Sequence, residues 1–298
     1  MYVCLDINLH PMVYHLDMPH TKQFLIFTDL DGTLLDYNTY SIDQARDALQ
    51  FTKDLMIPIV AITSKTRHEL ENKHYTHEFF DIFATENGSA IYIQKNNPLS
   101  LYAKGKDIGQ YLMIQIGEAY KDILVKIDYS EKKTGIKVKR FSTMSTQEIS
   151  ELSGLDLRSA AMAKKREFSE PFVYNGDDAD LERFVKELNL MGLECIKGGR
   201  FYHVVSKGNK GHAVKIIENL YKENYTDKKW KTVALGDSYN DVPLLMAVDV
   251  PVLMPHTDGT YIEIPEELER ITIKAVKPGS EGWSMVIMDL LRKEGFYG

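Results

Sequence analysis

Two aspartates one residue apart, Asp29 and Asp31, end the apolar run Phe24-Leu25-Ile26-Phe27-Thr28 and are followed by Gly32 and Thr33. Alternate side chains of an extended segment point the same way, so the two carboxylates converge just past the run. That convergence is costly unless a cation neutralises it. A second acidic set, Gly236-Asp237-Ser238-Tyr239-Asn240-Asp241, follows another apolar run and brings two acids and an amide onto one turn. Thr63, Ser64, Lys65 and Thr66 follow the apolar Ile59-Val60-Ala61-Ile62, and Lys210 opens an amphipathic segment. Together these groups suit phosphoryl transfer. One carboxylate can attack phosphorus and carry the group as an aspartyl-phosphate. A second, two residues on, can protonate the leaving oxygen and later activate water. A lysine and a hydroxyl can hold the phosphate oxygens. Mg²⁺ takes one or two carboxylates together with water and phosphate oxygens.

Each piece has an ordinary reading as well. Asp-Gly after a strand makes a common turn. Thr63 and Ser64 suit a helix cap as well as a phosphate. Lys207 rivals Lys210, which is preferred because Lys210-Gly211-His212-Ala213 runs straight into the helical pattern and places its side chain at the helix start.

The elements that must position these groups are legible from periodicity. Apolar runs at 24–27, 59–62, 81–85, 90–93, 230–235 and 250–253 read as strands. Helical spacing covers 42–56, 67–80, 211–225, 242–247 and 283–294. Strand and helix alternate, which is the signature of a parallel sheet. The pattern changes over 105–203, where helical stretches (108–120, 146–152, 178–191) mix with short strand-like pieces (137–141, 172–173, 194–196, 201–205). The expected fold is α/β: a Rossmann-like parallel-sheet core with an inserted α+β cap domain. Residues 1–22 are expected to be an N-terminal extension, 23–104 and 204–298 the core, and 105–203 the insert. In such a sheet all four polar sets meet at the carboxyl ends of the strands.

The 298 residues carry a net charge of −7, which argues against a nucleic-acid partner. No apolar stretch is long enough to cross a membrane. The first twenty residues contain Asp6 and Asp17, no Lys or Arg, and no long apolar core, unlike a secretory signal; a cytoplasmic location is expected. Cys4 and Cys195 suggest neither a disulfide framework nor a zinc site.

The order Asp29-Leu30-Asp31-Gly32-Thr33, then Thr63, then Lys210-Gly211-His212-Ala213, then Gly236-Asp237-Ser238-Tyr239-Asn240-Asp241 resembles the haloacid dehalogenase superfamily of Mg²⁺-dependent phosphatases. The insert lies between the second and third motifs, as in the capped, Cof-like subgroup. The resemblance implies Asp29 as nucleophile, Asp31 as acid and base, and Thr63 and Lys210 as phosphate ligands. It also implies that Asp29, Asp237 and the backbone carbonyl of Asp31 bind Mg²⁺, with Asp241 a second acid beside the metal.

Thr63-Ser64-Lys65-Thr66 departs from the Thr-Gly-Arg of most of that subgroup. Arg166-Glu167-Phe168-Ser169-Glu170-Pro171-Phe172 and Gly198-Gly199-Arg200-Phe201-Tyr202-His203 are similar to mannosyl-3-phosphoglycerate phosphatases and to the related glucosyl enzymes. The implied partner is a small phosphorylated sugar-glycerate, and the implied product a compatible solute. Arg166 would pair with the glycerate carboxylate in a two-pronged bond. Ser169, Glu170, Arg200 and His203 would hold hydroxyls, and Ser64 and Lys65 would lie on the substrate side. Arg166 and Glu170 also fit a surface ion pair, and His203 an ordinary strand position. A phosphomutase is the rival enzyme, separated by free-phosphate release. A non-catalytic sugar-phosphate binder would be expected to lack Asp29 or Asp237, and both are present.

Overall fold

The computed structural model of the chain describes residues 21–206 and 208–296. Residues 1–20 with Cys4, and Lys207, lie outside the described residues. Among those described, the strands in chain order are β1 (Thr21–Thr28), β2 (Ile59–Ile62), β3 (Ile82–Thr85), β4 (Ala90–Gln94), β5 (Lys106–Ile108) and β6 (Tyr111–Gln115). They continue with β7 (Lys139–Arg140), β8 (Ser169–Val173), β9 (Glu194–Lys197), β10 (Tyr202–Val205), β11 (Lys228–Gly236), β12 (Val250–Leu253) and β13 (Ile273–Lys274).

The large sheet has the order β13-β12-β11-β1-β2-β3-β4-β6-β5. From β13 to β3 every pairing is parallel. β4, β6 and β5 extend this edge antiparallel. The chain leaves β1 toward β2 on one side and returns through β11 on the other, so the order reverses between β1 and β11. Ligands of open α/β sheets sit in the crevice at that switch point.

β1 is apolar at every position from Phe24 to Phe27 because both its faces are covered. Leu25 and Phe27 pack with Ala213, Val214 and Ile217 of helix Lys210–Asn224. Phe24 and Ile26 pack with Trp283, Ile287 and Leu291 of helix Gly279–Lys293. Burying each such side chain stabilises the fold by roughly 1.5–3 kcal/mol. The Trp283 indole N–H donates to Thr28 Oγ1 at 3.1 Å, which satisfies the ring's polar atom beside the strand end.

The second sheet, ordered β7-β8-β10-β9, is wholly antiparallel. Helices Tyr120–Thr134 and Asp178–Leu190 cover it through Ile123, Ile127, Phe184 and Leu188, packed against Phe172 and Val204. Helices Thr146–Ser153 and Leu157–Ala163 close a smaller cluster on Phe141 and Met144. The core-plus-insert architecture is therefore the one expected.

The insert's edges differ from the expected ones. Residues 108–120 do not form a helix. They contribute β6 after a tight turn at Gly109, whose φ is 70°, and the next helix starts only at Tyr120. Ile108, Leu112 and Ile116 fit a helical period, but Tyr111 and Met113 also alternate as a strand requires, and pairing with β4 decides between them. Residues 106–115 thus belong to the large sheet, and 204–205 belong to the small one.

One glycine matters for the site. A Cβ on Gly211 would stand 2.2 Å from the Pro243 carbonyl oxygen, so only glycine lets helix Lys210–Asn224 lie against helix Val242–Leu245. Asn209 caps the helix by accepting from the His212 N–H at 3.0 Å. Gly211→Ala is expected to destabilise the protein by about 1–3 kcal/mol through overpacking, measured by chemical denaturation. An unchanged midpoint would contradict this packing.

Candidate active site

β1, β11 and β2 are neighbours, and their carboxyl ends deliver Asp29, Asp237 and Thr63 to one edge. Lys210 arrives from the start of its helix. Its side chain is fully buried, with Nζ 2.5 Å from Asp29 Oδ1 and 2.5 Å from Asp241 Oδ1. The other oxygen of Asp241 accepts from the N–H groups of Asp237 at 3.1 Å and Ser238 at 3.0 Å. Asp241 therefore braces the turn and Lys210 together.

Asp29, Asp237 and Asp241 each offer an oxygen within 4.8 Å of the others. Thr33 donates to Asp237 Oδ1 at 3.1 Å. A Cβ on Gly32 would meet Asp237 Oδ2 at 2.6 Å, and the Gly32 φ of +80° suits glycine. The Gly-Thr pair after Asp31 is thus explained by the room and the donor that Asp237 needs.

Of the three buried carboxylates, Asp29 and Asp241 contact the one ammonium and Asp237 does not. Burial, then Asp241 and Asp31, push the Asp29 carboxyl up to about 7 against the opposing pull of Lys210. Burial, Asp241 and Asp29 likewise hold Asp237 well above the usual carboxylate range. Burial disfavours the charged form of Lys210, but Asp241 and Asp29 outweigh it and raise its pKa. This excess of acid suits a divalent cation, which oxygens of Asp29, Asp237 and Asp241 could hold.

A cavity of about 130 Å³ opens above the cluster, lined by Asp29, Asp31, Ser64, Lys65, Arg166 and His203 among others. Asp31 lies outside the acid cluster. Its Oδ2 pairs with Lys65 Nζ at 2.8 Å, and its Oδ1 is buried without a hydrogen-bond partner. Thr63 is fully buried, and its hydroxyl accepts from the Lys65 N–H at 3.2 Å, so it shapes the loop. Thr66, not Thr63, caps the next helix, in a reciprocal pair with Glu69.

Of the insert residues singled out in the sequence, Arg166, Arg200 and His203 line the cavity, whereas Ser169 and Glu170 are turned to packing. Ser169 bonds Glu86 at 2.7 Å and receives a bond from Arg166 at 2.6 Å. Glu170 accepts from Tyr120 at 2.5 Å and from the Ser142 N–H at 2.8 Å. Glu170 is fully buried and Arg166 nearly so, and the two do not form a surface ion pair. The guanidinium of Arg200 donates to Tyr37 at 3.1 Å and Tyr40 at 3.2 Å. Burial, then Arg166 and Lys210, push His203 down to about 3, which keeps the imidazole neutral.

Glu86 was missed in the sequence, where Glu86-Asn87-Gly88 reads as a plain turn. It is fully buried at a positive φ of 50°. Its carboxylate accepts from the N–H groups of Glu167 at 2.9 Å and Phe168 at 3.0 Å, and lies 3.3 Å from Arg166 Nε. It joins core to insert and sets Arg166 in the cavity wall. The only local signal was an acid at a strand end.

The family of haloacid dehalogenase-like hydrolases matches residues 26–264. The chain belongs to that family. A Methanococcoides burtonii protein named glucosyl-3-phosphoglycerate/mannosyl-3-phosphoglycerate phosphatase is 40% identical over 90% of this chain and 97% of its own. A Persephonella marina protein of the same name is 38% identical over the same shares. A Pyrococcus horikoshii mannosyl-3-phosphoglycerate phosphatase is 33% identical over 76% of this chain and 88% of its own. Among solved structures, a Thermoplasma acidophilum protein superposes with a TM-score of 0.63 over 93% of this chain and 100% of its own, at 13% identity, a likeness of fold. As a haloacid dehalogenase-like hydrolase with such relatives, the chain is a phosphoric monoester hydrolase. Among the described residues, no helix is long and apolar enough to cross a membrane.

The raised carboxyl pKa values fix a sign. The folded protein binds these protons more tightly than the unfolded chain, so their contribution to stability is present below the ordinary carboxylate pKa and is lost as pH rises through about 7. A cation that takes the protons' place is felt most above that range. Added MgCl₂ is expected to raise Tm by at least about 2 °C more near pH 8 than near pH 5.5. An equal or smaller gain near pH 8 would contradict the site.

Proposed function

We propose that the chain is a Mg²⁺-dependent phosphatase of glycosyl-3-phosphoglycerates, releasing mannosylglycerate and phosphate from the mannosyl substrate. The observation that carries this reading is Arg166, a buried guanidinium in the wall of the cavity that also contains Asp29. Glu86, Ser64 and Ser169 hold one side of this guanidinium, and a glycerate carboxylate, which a simple sugar phosphate lacks, would pair with the side that faces the cavity. The Methanococcoides burtonii and Persephonella marina relatives carry both sugars in their names, which favours acceptance of the glucosyl substrate too. A cytoplasmic enzyme of compatible-solute synthesis follows from that substrate.

Asp29 attacks phosphorus, forming a bond from its carboxylate oxygen as the bond to the glycerate oxygen breaks. Asp31 gives its proton to that departing oxygen. It then takes a proton from water as the water oxygen attacks the aspartyl-phosphate and frees the Asp29 carboxylate. Lys210 keeps Asp29 oriented and offsets charge on the phosphate. Mg²⁺ held by Asp29 and Asp237, with the Asp31 carbonyl, would neutralise the equatorial phosphate oxygens. The insert, taken as the substrate-specificity domain over about 116–206, roofs the site and limits water during transfer.

Phosphate release is expected from mannosyl- and glucosyl-3-phosphoglycerate, and to stop on chelation with EDTA. Asp29→Asn should lower turnover by at least about 10³-fold with the fold intact by circular dichroism. Retention of the phosphoryl group on the substrate would mean a mutase instead. Arg166→Met should raise KM for the glycosyl phosphoglycerates by about 10–100-fold and change that of a sugar phosphate lacking a carboxylate little. Equal losses on both would remove the carboxylate role.

A further inference from the structure

Tyr40 sits between the insert and the acid–base residue. The segment from Asp36 to Ser41 closes on itself: Asp36 Oδ1 accepts from the N–H of Asn38 at 3.1 Å and of Thr39 at 2.8 Å, and the Tyr40 N–H donates to the Asp36 carbonyl at 2.9 Å. This holds Tyr40 at φ 55°, a left-handed conformation that bulky residues rarely adopt. Its hydroxyl receives a bond from Arg200 Nη1 at 3.2 Å, across from the insert. Its ring face carries the Lys65 ammonium 5.1 Å from the centroid. That same ammonium is 2.8 Å from Asp31 Oδ2 and 3.8 Å from Glu69 Oε1. Lys65 is buried, so its position is fixed by these partners.

We infer that Tyr40 and Lys65 are positioning residues that orient Asp31 for proton transfer, with Arg200 tying that geometry to the insert. The contacts run in one line: Arg200 to the Tyr40 hydroxyl, the Tyr40 ring to Lys65, and Lys65 to Asp31 Oδ2. Asp31 Oδ1 is left without a hydrogen-bond partner, which leaves it available to exchange a proton with the leaving oxygen or water. A strained tyrosine at the junction makes sense when its two ends have separate tasks. The inference rests on Asp31 acting as the acid, and the test separates the two.

The readout is leaving-group dependence of kcat/KM, which reports steps through phosphoryl transfer. An alkyl phosphate (the glycosyl phosphoglycerate, or the best alkyl substrate found) needs its leaving oxygen protonated; p-nitrophenyl phosphate does not. Asp31→Asn should lower the alkyl reaction at least about 10-fold more than the nitrophenyl one. Lys65→Met and Tyr40→Leu should show the same selective loss, about 10–100-fold on the alkyl substrate and within about threefold on the nitrophenyl one. Arg200→Gln and Tyr40→Phe, which each break the bond between Arg200 and the Tyr40 hydroxyl but keep the ring against Lys65, should both show it more weakly. If Asp31→Asn is selective but Lys65→Met and Tyr40→Leu lower both substrates alike, or neither, the positioning role is wrong. If Tyr40→Phe matches Tyr40→Leu, the ring is not what holds Lys65. If Asp31→Asn itself is unselective, the acid role beneath the inference fails. A merely structural contribution would depress both substrates together.

Discussion

A fully buried lysine must be surrounded by acid, and the rest of the site follows from that requirement. Lys210 has no exposed side-chain surface and sits 2.5 Å from a carboxylate on each of two strand-end loops. An unpaired ammonium there would cost several kcal/mol, so Asp29 and Asp241 cannot be placed independently of it. Asp241 in turn is fixed by backbone N–H groups of its own turn, and that turn presents Asp237. The third carboxylate then has no cation to share. The same arrangement that pays for Lys210 leaves a local excess of negative charge, which a divalent cation would neutralise.

The insert is joined to this centre by polar contacts of the core. Glu86 receives the backbone of Glu167 and Phe168, Arg67 pairs with Glu167 at 3.2 Å, and Arg166 bonds the Ser64 carbonyl at 3.0 Å. The segment 166–169 is therefore held by the loop that carries Ser64 and by the turn after β3. Arg200 reaches the core from the other side of the insert. The segment proposed to recognise the substrate and the carboxylates proposed to react are thus held by one set of core contacts.

The core was legible in the sequence because its chemistry is local. Asp29 and Asp31 follow an apolar strand, Asp237 and Asp241 share a turn, and Lys210-Gly211 opens a helix. Each is a short pattern whose spatial meaning the parallel sheet supplies. What stayed hidden depends on contacts between distant segments. Glu86 meets partners more than eighty residues later, and no periodicity marks it. Ser169 and Glu170 looked like substrate ligands because they are polar beside Arg166, yet their partners lie in packing. Tyr37 and Tyr40 gave no signal beyond their aromatic character. The hairpin β5–β6 was misread because an edge pairing outweighed a helical spacing that the same residues also satisfy.

The central claim is that the buried Lys210 presents Asp29 as the group that carries phosphate. The most direct measurement is borohydride trapping of enzyme quenched in acid during turnover, followed by peptide mass spectrometry. An aspartyl-phosphate is reduced to homoserine, whereas a free carboxylate is not. The account predicts homoserine at position 29, dependent on substrate. Conversion at position 31 or 237, or none at all during turnover, would contradict it.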